Sequence, residues 1–163
     1  MDGYIGLGSN VGDPVAELRR ALSELVVRGV EVPLRSSLYQ TEPVETLNPE
    51  WFVNAAAAVR FDGNPTQFFE VCRSVEAARG RERGERNAPR TLDIDILMLE
   101  DVVLSTPALI VPHPRFHQRR FVLEPMVEIA PDAFHPVLER TMRDLLEDCR
   151  DVSEVVRLED AFA

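Results

Sequence analysis

The sequence predicts an α+β sandwich: a mainly antiparallel sheet with helices packed on it and a helical addition at the C-terminus. Three observations predict it. Runs rich in β-branched and apolar residues recur at 4–8, 30–41, 52–61 and 91–99. Stretches of helical period lie between them, opened by a capping residue and a proline at Asp13-Pro14 and Asn64-Pro65. A chain of 163 residues, 45% of them apolar, suffices for one domain, residues 1–163, around a single core.

Residues 4–8 read as a short strand ending in the turn Ser9-Asn10-Val11-Gly12. After the Asp13 cap, Leu18, Ala21, Leu22 and Leu25 recur at helical spacing, and Gly29 stops the helix. Residues 30–41 read as one strand, and 42–50, with two prolines and three Glu, as a loop. Residues 52–61 form a strand rich in alanine, where something must pack closely. Phe68, Phe69, Cys72 and Val75 lie on a second helix reaching about residue 79. A loop with two glycines spans 80–90, and the strand 91–99 follows. Glu100-Asp101 turns into a short strand at 102–104, giving a hairpin. Residues 121–129 and 142–149 are helical, the latter capped by Thr141 with Asp144. The order β-α-β-β-α-β is the ferredoxin-like pattern, with the two repeat helices on one face.

Composition narrows the function. A net charge of −10 argues against general nucleic-acid binding. No apolar run approaches the ~20 residues that span a bilayer, and the N-terminus lacks the pattern of a secretory signal. A cytoplasmic protein is expected, with Cys72 and Cys149 as reduced thiols. Every basic side chain is Arg, and five of them fall at 79, 81, 83, 86 and 90. Arg115, Arg119 and Arg120 form a second basic island. Guanidinium forks suit phosphate oxygens, so a small polyanionic ligand is expected.

Asp93 and Asp95 carry the sharpest signal. At i and i+2 on a strand they share a face, with Cα atoms about 6.6 Å apart, while Leu92, Ile94 and Ile96 face the core. Two like charges this close call for a cation or exposure. A carboxylate pair completed by substrate phosphates is a common way to hold magnesium. Arg81, Arg83 and Arg90 flank the pair, and His113 sits between Pro112 and Pro114 beside the second island. His117 and His135 lack such a context and read as surface residues. Trp51, Phe52 and Phe121 are most simply core, whereas Asn54, an amide among alanines, needs partners if buried; a planar heterocycle hydrogen-bonded to it and stacked on an aromatic ring would supply them.

The motifs at 5–10 (Ile-Gly-Leu-Gly-Ser-Asn), 39–44 (Tyr-Gln-Thr-Glu-Pro-Val), 52–55 (Phe-Val-Asn-Ala), 87–96 (Asn-Ala-Pro-Arg-Thr-Leu-Asp-Ile-Asp-Ile) and 111–115 (Val-Pro-His-Pro-Arg) occur in this order. Together they resemble the 6-hydroxymethyl-7,8-dihydropterin pyrophosphokinases of folate biosynthesis, over about residues 3 to 150. The resemblance implies transfer of pyrophosphate from ATP to the pterin hydroxymethyl group, releasing AMP. It implies two Mg2+ ions bridged by Asp93 and Asp95, and ATP contacts from Arg81, Arg83, Arg90, His113 and Arg119. It implies that the pterin meets backbone groups at Thr41, Pro43 and Val44, hydrogen-bonds Asn54 and stacks between Phe52 and Phe121. Arg81, Arg90 and Asp95 are the catalytic candidates, with Asp95 the best placed to serve as a base. Some members carry Trp and Lys in the loop matching 82–88, where this chain has Gly84 and Asn87. The partners expected are ATP and the pterin, with neither nucleic acid nor membrane, and the protein is expected to act as a monomer. Another Mg-dependent nucleotide-processing enzyme, or a pterin- or nucleotide-binding module without turnover, would use the same residues.

Overall fold

The computed structural model describes residues 1–10, 12–42, 51–81 and 92–158. β1 (Asp2–Ser9) lies inside the sheet, with Ile5 and Leu7 buried. α1 (Pro14–Val27) starts where Asp13 Oδ1 accepts from the Ala16 N–H at 3.2 Å, and it ends before Gly29, whose φ of 93° suits a residue without Cβ. β2 (Val30–Arg35), β3 (Tyr39–Thr41) and β4 (Phe52–Phe61) follow. α2 (Pro65–Glu76) opens with a reciprocal cap between Asn64 and Gln67, and a π-helical turn, Ala77–Arg81, extends it. β5 (Asp93–Leu99) is the last long strand.

The sheet runs β5-β1-β4-β3, with β2 also on β4, and every pairing is antiparallel. This is the ferredoxin-like order, with its second strand broken in two. Residues 30–41 were expected as one strand. Ser36 interrupts them, because its Oγ accepts from the Ala56 N–H at 2.9 Å and so takes the place of a ladder carbonyl.

The hairpin expected at 102–104 does not form. β6 (Leu104–Ser105) pairs instead with β7 (Ile110–Val111) in a separate small sheet. The outer edge of β5 is taken by the following segment, where the His113 N–H donates to the Leu97 carbonyl at 2.9 Å. A 3-10 turn, Phe116–Gln118, leads into α3 (Arg120–Ile129). α4 (Met142–Glu147) is capped by Thr141 Oγ1 on the Asp144 N–H, and it ends two residues sooner than expected. β8 (Val155–Arg157), unforeseen in the sequence, adds to β3 at the sheet edge.

Two cores result. α1 and α2 cover one face over Ile5, Leu7, Ala57, Ile94 and Ile96. α3 and α4 cover part of the other over Ala56, Leu97, Met98 and Phe116, so the helical addition packs opposite the repeat helices. His135 corrects a second expectation. It is 4% exposed, not a surface residue, and its Nδ1 accepts from the Val137 and Leu138 N–H groups. His117 is half-buried. Among the described residues no helix is long and apolar enough to cross a membrane.

Candidate active site

The part of the second face that α3 leaves open is a cavity of about 530 Å3. Its floor follows from strand alternation. Gly8 pairs with Asn54 on one side and Asp93 on the other, and Gly6 pairs in the same way with Ala56 and Asp95. Asn54, Gly8 and Asp93 therefore form a row across three adjacent strands, two strand spacings or roughly 10 Å from end to end. Both aspartates are half-buried and line the cavity.

At the other end of the row, Asn54 is 7% exposed and its Nδ2 donates to Thr41 Oγ1 at 2.7 Å. The amide oxygen lies against Gly8, where a Cβ would fall 2.6 Å from it. Glycine at position 8 is thus the condition for this amide position. Phe52 and Phe121 line the same cavity, both half-buried. The Arg119 guanidinium lies 5.8 Å from the centre of the Phe121 ring and also borders the space.

His113 is fixed beside this site by its backbone bond to β5. Burial pushes its imidazole below the ordinary value. Asp95 pulls the other way, and Arg119 and Arg115 add to the depression. The balance favours the neutral ring. Its Nδ1 accepts from the Arg115 N–H at 3.2 Å, which leaves Nε2 as the protonated nitrogen.

The profile of the 7,8-dihydro-6-hydroxymethylpterin-pyrophosphokinase (HPPK) family matches residues 4–131. The chain belongs to this family. A 2-amino-4-hydroxy-6-hydroxymethyldihydropteridine pyrophosphokinase from Methylorubrum extorquens is 45% identical over 130 residues, covering 79% of this chain and 82% of that protein. The enzyme of the same name from Bacillus subtilis is 42% identical over 127 residues, 77% of this chain and 76% of that protein. Among solved structures, wild-type HPPK-DHPS of Plasmodium falciparum with STZ-DHP matches with a TM-score of 0.68. At 15% identity, over 90% of this chain and 42% of that one, the likeness speaks for the fold alone.

The HPPK cleft gathers Thr41, Phe52, Asn54, Asp93, Asp95, Arg119 and Phe121 of the residues expected from the sequence, with His113 within electrostatic reach of Asp95. Pro43, Val44, Arg83 and Arg90 lie outside the described residues, as does the Arg81 side chain. Glu42, Gln118 and Asp151 also line the cleft and were missed. Asp151 is 30 residues beyond Phe121, and nothing local in the sequence links them. Burial pushes its carboxyl up, but hydrogen bonds from Ser153 and the Arg120 N–H outweigh this and hold it below the usual carboxylate range.

The donor chemistry fits a hard divalent ion. Asp93 and Asp95 offer only oxygens from one strand face, and among the described residues no third His, Cys, Asp or Glu joins them. Magnesium is commonly held by one or two carboxylates, with water and substrate phosphates completing its shell. The glycines opposite, Gly6 and Gly8, bring no side chain that would fill this space.

Proposed function

We propose that this protein transfers the β,γ-pyrophosphoryl unit of ATP to the hydroxymethyl group of 6-hydroxymethyl-7,8-dihydropterin, releasing AMP. The observation that carries the reading is the row Asn54-Gly8-Asp93, which sets an amide-lined slot two strands from a carboxylate pair. That separation suits a bicyclic ring whose one-carbon arm points along the row. Family membership supports the same reaction.

Phe52 and Phe121 would hold the ring by its faces, and Asn54, oriented by Thr41, would hold its polar edge. The arm's oxygen would attack the β-phosphorus as the bond to the α-phosphate oxygen breaks. Asp95 is the candidate to receive the hydroxyl proton. Arg119 and the Nε2–H of His113 would meet phosphate oxygens, joined by Arg81, Arg83 and Arg90, with Arg81 and Arg90 neutralising charge at the transferring group. Asp93 and Asp95 would hold two Mg2+ ions, which supply charge stabilisation on the phosphates. Positioning and neutralisation supply most of such a catalytic effect. We further infer a cytoplasmic protein that works as a monomer.

The test is AMP formation. Release of AMP from ATP should require both the hydroxymethyl pterin and Mg2+. ATP left intact with the pterin present, or a polynucleotide cut in its place, would overturn the assignment.

A further inference from the structure

The aromatic wall of the slot, α3, has no side-chain cap of its own. Its N-cap residue is Arg119, which makes no capping hydrogen bond. The cap comes from far along the chain, where Asp151 Oδ2 accepts the Arg120 N–H at 3.0 Å. The same carboxylate accepts from the Ser153 N–H at 2.9 Å through Oδ1. Three residues later the chain joins the polar wall. The Glu154 N–H donates to Glu42 Oε1 at 2.7 Å, and β8 pairs with β3 from Tyr39 to Thr41. Thr41 is the partner of Asn54. One short segment therefore fastens the helix that carries Phe121 to the strand that orients the amide.

We propose that residues 151–157 brace the two walls of the pterin slot, with Asp151 a positioning residue that holds Phe121 through the first turn of α3. The other end of α3 is tied to the same strand region through Glu128, which Arg157 of the brace also reaches, at 3.4 Å, and Asp151 takes no part in these bonds. Glu128 accepts from the Ser37 N–H at 3.0 Å and from the Tyr39 hydroxyl at 2.6 Å. Loss of the Asp151 contact frees only the end at the slot. The brace lies beyond residue 131, where the family match stops. The inference rests on the reading of the slot as the pterin site.

The test is steady-state kinetics with the full chain, joined to hydrogen exchange on the unliganded protein. Asp151→Ala should raise the pterin KM roughly fivefold to tenfold, the worth of one helix cap. kcat and the ATP KM should stay within about twofold. Asp151→Asn keeps an acceptor oxygen and should recover most of the loss. Combined with Phe121→Ala, Asp151→Ala should add nothing further, because it acts through that ring. Amide exchange at 120–122 should quicken in Asp151→Ala and return toward normal in Asp151→Asn. A full additive loss in the double variant, an equal rise in the ATP KM, or faster exchange with an unchanged pterin KM overturns the brace and leaves the reaction assignment standing. Failure of the unaltered protein to form AMP with the pterin overturns that assignment, and with it the role given to the brace.

Discussion

The two faces of β1, β4 and β5 are made from neighbouring residues and behave as different materials. Toward α1 and α2 the strands present Ile5, Leu7, Ala55, Ala57, Ile94 and Ile96, all buried in one core. Toward the cleft the interleaved positions are Gly6, Gly8, Asn54, Asp93 and Asp95. Alternation along a strand lets one segment fold the protein with odd residues and equip its site with even ones, or the reverse. The cost falls on the open face, where two carboxylates sit side by side and two glycines contribute no packing. The filled face offsets that cost. Substitutions one residue apart should therefore fail in different ways.

Asp95→Ala should produce the largest effect. In the proposed role the carboxylate would hold charge against the phosphates, a contribution of several kcal/mol in the transition state, so turnover should fall on the order of 10^3-fold. Melting should change little beside a core substitution, because Asp95 lies half-buried on the open face and its loss leaves the packed core intact. Activity near that of the unaltered protein would sink the metal assignment. One residue further on, Ile96→Ala deletes a side chain that is 5% exposed. It should cost about 3 kcal/mol of stability, read from urea unfolding, while the folded fraction keeps its kcat. If the two variants failed alike, the division between faces would be wrong.

Much of this division was legible in the sequence. Asp at i and i+2 amid Leu and Ile reports both the strand and its two faces, and cap-proline pairs mark both long helices. What escaped detection depends on contacts between distant segments. Ser36 splits a strand by bonding to Ala56, 20 residues away. The segment at 102–104 has strand composition, but the β5 edge it would need is occupied by residue 113. Asp151 and β8 gain their meaning only from α3 and β3, and no local periodicity reports such partners. His135 looked like a solvated polar residue because its burial comes from packing on Phe116 at 5.4 Å between ring centres. Local pattern sets an element and its faces; edges, caps from afar and buried polar groups are decided by the assembled fold.

A smaller effect probes the row at its midpoint. Gly8→Ala would put a Cβ 2.6 Å from Asn54 Oδ1, so either the amide or β1 must move. The pterin KM should rise about tenfold, the equivalent of one displaced hydrogen bond. The ATP KM should hold, because the three atoms nearest the added Cβ all belong to Val53 and Asn54, none to the aspartates. Loss of ATP affinity to the same degree would mean that Gly8 serves the whole sheet and not the amide end of the row.

The smallest effect separates the covered part of the second face from its open part by pH. His135 packs near the second core beside the His117 ring, 6.3 Å away. Burial, and then His117, depress its pKa below the ordinary 6.5. Its Nδ1 must stay unprotonated to accept the Val137 and Leu138 N–H groups. The native protein therefore binds fewer protons than the unfolded chain as pH falls past about 6.5. Its contribution to stability is full above that value and is lost as pH falls through the depressed one. Between pH 7.5 and 5.5 Tm should fall on this account. His135→Gln should be less stable at pH 7.5 and should lose that part of the pH dependence, with the pterin KM unchanged at pH 7.5. An identical pH slope in the variant would move the titration elsewhere. A raised pterin KM would mean that the covered and open parts of this face are not independent.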